Sequence, residues 1–150
     1  MLQLVRTDSS NQDFRDLVQL LDAYLSVKNG DQDAFFSSYN KIDQIKNVVV
    51  AYEDERAVAC GAFKACEGMA EIKRMYVRED CRGRGLAGQV LKELELWAAH
   101  SGYSFCILET AKFMPDAVGL YRKHQYEIIP NYGQYIGVED SVCMKKAVRP

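Results

Sequence analysis

From Glu71 to Thr110 the chain reads EIKRMYVREDCRGRGLAGQVLKELELWAAHSGYSFCILET. An extended segment, EIKRMYV, is followed by a glycine-rich loop, RGRGLAG. Apolar residues at helical spacing then run to a Ser101-Gly102 stop, and a second extended segment, FCILET, follows. Two strands joined through a helix in this way run parallel, because an antiparallel pair needs only a short turn. No other segment repeats the pattern. The chain is therefore predicted to be α/β with a mixed sheet, not a doubly wound sheet of repeating crossovers.

The remaining segments supply the antiparallel part. LQLVR reads as a first strand. DFRDLVQLLDAYLSVKNG places Phe14, Leu17, Leu20, Leu21, Tyr24 and Leu25 on one helical stripe, which Asn29-Gly30 ends. DAFFSSYNKI reads as a shorter helix. NVVVAY and AVACGAFKA are strands separated by the turn-forming EDER, a hairpin pattern. PDAVGLYRKHQ is a helix with Pro115 in its first turn, and YEII and SVCMKK are two last strands.

With 150 residues, 48% of them hydrophobic, the chain is long enough for one core, and a single domain over 1–150 is expected. No apolar run approaches the ~20 residues of a membrane-spanning helix. MLQLVRTDSS lacks the features of a secretion signal or a lipidation site, so a soluble cytoplasmic protein is expected. The five cysteines are odd in number and lack C-x-x-C spacing, as free thiols in a reducing compartment would be. His100 and His124 form no ligand pair, and no metal is expected. Residues 1–55 hold ten acids against five bases, and residues 56–150 hold eleven against fourteen. That imbalance favours cations near the first half and anions near the second.

RGRGLAG spells G-x-G-x-x-G, and Glu109 follows about twenty residues later, where a dinucleotide fingerprint carries its ribose-binding acid. That fingerprint, however, opens close behind a strand buried on both faces, which reads as a nearly continuous apolar run. Here Glu71, Lys73 and Arg74 interrupt the strand, and REDCR separates Val77 from Gly83. A Walker loop is excluded, because no G-K-[ST] follows. Two readings stay open on chemistry alone: an anion site made by main-chain N–H groups at a helix start, flanked by Arg82 and Arg84, or a glycine-eased helix start with solvated arginines. The basic run Lys73, Arg74, Arg78, Arg82, Arg84 lacks aromatic interleaving and the chain is net acidic, so nucleic acid is not expected.

R-G-R-G-L-A, Arg82 to Ala87, resembles the R/Q-x-x-G-x-G/A signature of the GNAT superfamily of acyl-CoA-dependent N-acyltransferases. EIKRMYVRED is similar to that superfamily's fourth strand, and LETAKFMPDAVGLYRKHQY to its later strand and helix. The motif likeness covers about residues 47–129. It implies a single GNAT-like domain with a mixed, mostly antiparallel sheet, splayed parallel fourth and fifth strands, and about four flanking helices.

The resemblance also implies a donor, acetyl-CoA, and no metal. Main-chain amides of Arg84, Gly85, Leu86, Ala87 and Gly88 would cradle the coenzyme A pyrophosphate, with Arg82 opening the motif and Gly83 a further cofactor-binding residue. The pantetheine arm would pair with Met75, Tyr76 and Val77, with an N–H near Val77 polarising the thioester carbonyl. Aminolysis needs an uncharged amine and a protonated leaving thiolate. Glu71 aligns with the strand glutamate that serves as base in the histone-acetylating branch, and Tyr121 with the helix tyrosine that protonates sulfur. Without the resemblance, Tyr121 reads as a core residue, since Ala117, Leu120, Tyr121 and His124 form a helical stripe.

By analogy the acceptor pocket would gather Phe35, Phe36, Tyr39 and Asn40 with Tyr132 and Tyr135. The acceptor implied is a primary amine of a small, amino-acid-like molecule. A protein N-terminus or lysine, or a non-catalytic acyl-CoA sensor, are the alternatives, and a homodimer is left open. The chain departs from the family pattern at Met114 in place of an asparagine, at Gln125 in place of the glycine that ends the helix, and at Lys73-Arg74 in place of a pair that is often acidic.

Overall fold

The hairpin read at EDER turns on Asp54 and Glu55, both with positive φ (50° and 69°). That backbone matches the twist of the two strands it joins, β2 (Asn47–Glu53) and β3 (Arg56–Cys66), which pair antiparallel from Glu53↔Arg56 to Asn47↔Phe63. The computed structural model describes residues 1–29 and 45–149. Seven strands form one mixed sheet in the order β1-β2-β3-β4-β5-β7-β6. Three α-helices lie among the described residues, against about four expected; the helix read over residues 33–42 falls outside them.

The chain divides into two compact units, Met1–Lys64 with Lys73–Leu94, and Ala65–Ile72 with Glu95–Pro150. In the first, β1 (Leu2–Thr7) pairs antiparallel with β2. Helix α1 (Gln12–Asn29) starts where the Asn11 carboxamide oxygen accepts from the Phe14 N–H at 2.9 Å, a side-chain cap on an otherwise unsatisfied donor. Phe14, Leu17 and Val18 of α1 pack with Val48, Val50, Cys60 and Ala62. The stripe differs from the expected one by an exchange: Val18 is buried, whereas Leu20 is 41% exposed. From Phe14, the i+3, i+4 and i+7 positions are Leu17, Val18 and Leu21, and Leu20 falls off that face.

Strand β4 (Met69–Val77) corrects the reading of its charges. Glu71, Lys73 and Arg74 do not interrupt a buried strand; they are 3%, 8% and 7% exposed. Arg74 has φ 61° in the middle of β4. After β4 and a single 3-10 turn at Glu79–Cys81, helix α2 (Leu86–His100) begins. Gly61 on β3 lets the first part of α2 approach closely. A Cβ there would come within 2.5–2.9 Å of Met75 Sδ, Leu94 Cδ1 and Val90 Cγ1.

In the second unit, β4 and β5 (Phe105–Ala111) pair in parallel at Ala70↔Cys106 and Glu71↔Ile107, the crossover expected from the sequence. Strand β7 (Ser141–Ala147) runs antiparallel to β5 along its whole length, and β6 (Glu127–Ile129) is antiparallel to β7. Helix α3 (Pro115–Lys123) ends at Gln125, which adopts φ 73°, the left-handed conformation that glycine takes without penalty.

Candidate active site

The first group of site residues lies in the first unit. Gly83 and Gly85 have φ 81° and 77°, and a Cβ at either would meet nothing within 4 Å. Both glycines are therefore demanded by backbone conformation and not by crowding, and the space beside them is open. The first intrahelical bond of α2 runs from Gln89 N–H to the Gly85 carbonyl at 3.2 Å. The N–H groups of Leu86, Ala87 and Gly88 precede it, in the first turn, where a helix leaves its donors without intrahelical partners. With the positive end of the helix dipole, they form an anion-binding surface made of main chain.

The arginines around this loop are engaged with the fold. Arg82 donates from Nε to the Val77 carbonyl at 3.1 Å, and its guanidinium carbon lies 5.1 Å from the Tyr24 ring centroid and 5.5 Å from that of Tyr76. Arg84 is paired with Glu53, and Arg56 with Asp80 at 2.9 Å. Arg78 donates to the Ala57 carbonyl at 2.6 Å. Arg84 and Arg56 are neutralised by their carboxylates, whereas Arg82 and Arg78 bond the main chain through Nε only, so the loop offers a phosphate main-chain N–H groups beside the charge of these two guanidinium groups. Met75, Tyr76 and Val77, at the end of β4, are half-buried.

The second group lies in the second unit and is built from side chains. Tyr132 donates its hydroxyl to Glu71 Oε2 at 2.7 Å. The Tyr132 ring stands edge-on to Tyr135, with centroids 5.7 Å apart and planes at 88°. Ser141 donates Oγ–H to Glu109 Oε2 at 2.7 Å. Burial pushes the Tyr132 hydroxyl's pKa up, and the Glu71 carboxylate beside it adds to the shift. Tyr135 is raised by burial and then by the charges of Glu109 and Glu71. The Cys143 thiol is pushed up to about 11, mainly by burial.

Tyr121 is 8% exposed and stacks edge-on against Tyr126 at 5.8 Å. Its phenol is raised by burial and then by the Glu109 charge, so it stays protonated across the physiological range. Tyr126 in turn donates to Glu95 at 2.9 Å, and Lys146 donates to the other oxygen of Glu95 at 2.8 Å.

Among the residues expected at the site, the structure brings Glu71, Tyr132 and Tyr135 into one cluster, and Arg82 to Gly88 into one loop. Phe35, Phe36, Tyr39 and Asn40 lie outside the described residues. The pairs Ser141–Glu109, Glu95–Tyr126 and Asp22–Arg74 were not read from the sequence. Their partners lie 31 to 52 residues apart, and nothing local announces them. Among the described residues no group of three His, Cys, Asp or Glu side chains is placed to hold a metal ion, and no helix is long and apolar enough to cross a membrane.

A sheet with one short parallel pair, and a helix entered through an open glycine turn beside it in sequence, is the arrangement that the resemblance to the GNAT superfamily implies. The Acetyltransferase (GNAT) family model matches residues 14–126, and the chain belongs to that family. It is 32% identical over 92 residues to an uncharacterized N-acetyltransferase of Bacillus subtilis, YjcF, covering 59% of this chain and 64% of that relative's length. A Klebsiella pneumoniae protein described as an acyl-CoA N-acyltransferase superposes with TM-score 0.82 at 25% identity, over 99% of this chain and 98% of the other. A GNAT acetyltransferase from Elizabethkingia anophelis, solved with acetyl-CoA bound, shares the fold with TM-score 0.71 at 17% identity, over 97% of each chain.

Proposed function

We propose that the protein transfers an acetyl group from acetyl-CoA to the primary amine of a small, amino-acid-like molecule by direct attack. The observation that carries this reading is the open turn at Gly83 and Gly85 leading into α2. The N–H groups from Arg82 to Gly88 have the chemistry of a pyrophosphate cradle, and the glycines leave room for the phosphates to reach the main chain. Met75, Tyr76 and Val77 would hold the pantetheine arm.

Bound acetyl-CoA would supply the activated thioester. Glu71 takes the proton of the incoming amine at its carboxylate, and Tyr132, bonded to Oε2, orients that carboxylate. Tyr121, held in its neutral form by burial, gives the phenolic proton to the departing sulfur. The main-chain N–H near Val77 supplies the dipole for the thioester oxygen, and Arg82 fixes that stretch of strand by bonding the Val77 carbonyl.

Calorimetry with acetyl-CoA, free CoA and NAD tests donor recognition. CoA and acetyl-CoA should bind, and NAD binding without a CoA response would overturn the reading. Free-thiol release over an amine panel that includes proteins tests turnover. Donor binding with no release across the whole panel would make the protein an acyl-CoA sensor instead of an enzyme.

A further inference from the structure

Tyr126 is tied to Tyr121 in two ways. Its N–H donates to the Tyr121 carbonyl at 3.0 Å, and its ring stands edge-on to the Tyr121 ring, with centroids 5.8 Å apart and planes at 66°. Helix α3, which carries Tyr121, has nine residues, and Met114 at its start supplies no side-chain cap. A helix of that length has little stability of its own, so contacts beyond it decide where its side chains point. The left-handed turn at Gln125 brings Tyr126 back against the helix end, where it meets the proposed acid directly.

Tyr126 is in turn anchored at its far end. Its hydroxyl donates to Glu95 Oε2 at 2.9 Å, and Lys146 donates from Nζ to Glu95 Oε1 at 2.8 Å. The same Nζ lies 5.7 Å from the Tyr126 ring centroid. Glu95 comes from the second half of α2, Lys146 from β7 and Tyr126 from the connection between α3 and β6, so three parts of one compact unit meet on a buried carboxylate. Such a set is a poor source of stability, because taking two charges out of water offsets their attraction, and leucine, methionine and phenylalanine would fill the space without that cost. What the apolar set lacks is direction. Hydrogen bonds hold donor and acceptor within a narrow range of distance and angle, whereas apolar contact is non-directional. None of these three groups takes part in the transfer steps derived above.

We infer that Glu95, held by Lys146, is a positioning residue for proton transfer: through Tyr126 it sets the direction in which Tyr121 presents its hydroxyl to the departing sulfur. The inference rests on the acyl-transfer reading above and on Tyr121 as its acid. Tyr126 and Glu95 exchange no proton in the step. Tyr121 still gives its phenolic proton to sulfur, and Glu71 still holds the one taken from the amine. Gln125 and Met114, two departures from the family pattern, stand on this account at the two ends of a helix that is fixed in direction from its C-terminal end.

The test measures thiol release from acetyl-CoA with the fastest acceptor from a panel of amino acids and alkylamines. It compares the wild type with Tyr126→Phe, Tyr121→Phe, their double variant, and an apolar set that combines Glu95→Leu, Lys146→Met and Tyr126→Phe. Tyr126→Phe should lower kcat by about 10-fold, with acceptor KM and calorimetric CoA affinity within about twofold of wild type. In the Tyr121→Phe background the same change should cost less than about twofold, because the hydroxyl it directs is already gone. The apolar set should unfold in urea at no lower a midpoint than the wild type and still share the loss in kcat, which a role in stability alone would not produce. Should Tyr126→Phe leave the Glu95 carboxylate too poorly paired to fold, the apolar set decides alone. Equal losses in the two backgrounds, or an apolar set with wild-type kcat, overturn the inference and leave acyl transfer standing. Wild-type turnover in Tyr121→Phe would remove the acid assignment and the inference with it.

A measurement without turnover separates the two claims. In carbon-edited NMR spectra of protein with labelled tyrosine rings, the Tyr121 signals, assigned by their loss in Tyr121→Phe, should move in Glu95→Leu/Lys146→Met, where both changes lie beyond Tyr126. Unmoved signals would overturn the inference. Moved signals in a protein that releases no thiol would keep the link from Glu95 to Tyr121 and remove the transfer reading.

Discussion

The loop Arg82–Gly88 and the cluster around Glu71 differ in which atoms they present. In the loop Arg82 is stacked on two tyrosines and bonded through Nε to the Val77 carbonyl, and Arg84 is paired with Glu53. What sets the loop apart is its backbone, opened by two glycines at positive φ. In the cluster the backbone is consumed by β4–β5 and β5–β7 pairing, and what it offers is side chains, Glu71 held by Tyr132 and Glu109 held by Ser141. A main-chain site tolerates sequence change as long as its φ angles survive. A side-chain site fails when one atom is replaced.

The sharpest way to break this contrast is on the side-chain half. Glu71→Gln keeps the shape and the bond from Tyr132 but removes the base, and kcat should fall by about 10²–10⁴-fold. Steady-state thiol release measures it, and a loss under threefold would remove Glu71 from the chemistry. On the main-chain half, Gly85→Ala must place a Cβ at φ 77°, a strain of about 1 kcal/mol. The free protein has room for that methyl, so folding should survive, whereas a bound phosphate would meet it. Calorimetric CoA affinity should weaken by about 10-fold, with kcat at saturating donor unchanged.

A smaller effect sharpens the comparison from within the cluster. Tyr132→Phe frees Glu71 Oε2 without removing the carboxylate, and kcat should fall by about 3- to 10-fold with a changed pH–rate profile. An unchanged profile would mean that the bond to Glu71 has no part in proton transfer.

Stability against alkali follows from the buried thiols. Cys60 and Cys106 are pushed up to about 12 and Cys143 to about 11, in each case chiefly by burial, from 9.0. Because their folded values lie above the unfolded one, the contribution is fully present below pH 9 and is lost as pH rises towards 11 and 12. Each thiol steepens the decline by about 1.4 kcal/mol per pH unit in that window. Urea unfolding at pH 8 to 11 should show a flat region and then this fall, and Cys60→Ala should flatten it by about one proton's worth. The smallest change belongs to neither site: Gln125→Gly relieves φ 73° at the end of α3 and should gain about 0.5–1 kcal/mol in urea unfolding without altering turnover.

What could be read in advance follows the same division. The glycine loop was legible because its requirement is local: positive φ at Gly83 and Gly85 and a helix start at Leu86 are properties of seven adjacent residues. The crossover from β4 through α2 to β5 was legible for the same reason. The charges of β4 were misread as interrupting a buried strand. Their burial depends on Tyr132 for Glu71 and on Asp22 for Arg74, which lie 61 and 52 residues away in sequence. Leu20 was misplaced because hydrophobicity was weighed over helical phase, and Val18 took its position in the core.

The central claim is that donor recognition belongs to the main chain of the loop and proton transfer to the side chains around Glu71. It is tested most directly by titrating Glu71→Gln with acetyl-CoA in the calorimeter, on the same preparation used for thiol release. The account predicts a donor affinity within about twofold of the wild type beside a turnover reduced by at least 100-fold. A parallel loss of affinity and turnover would contradict it.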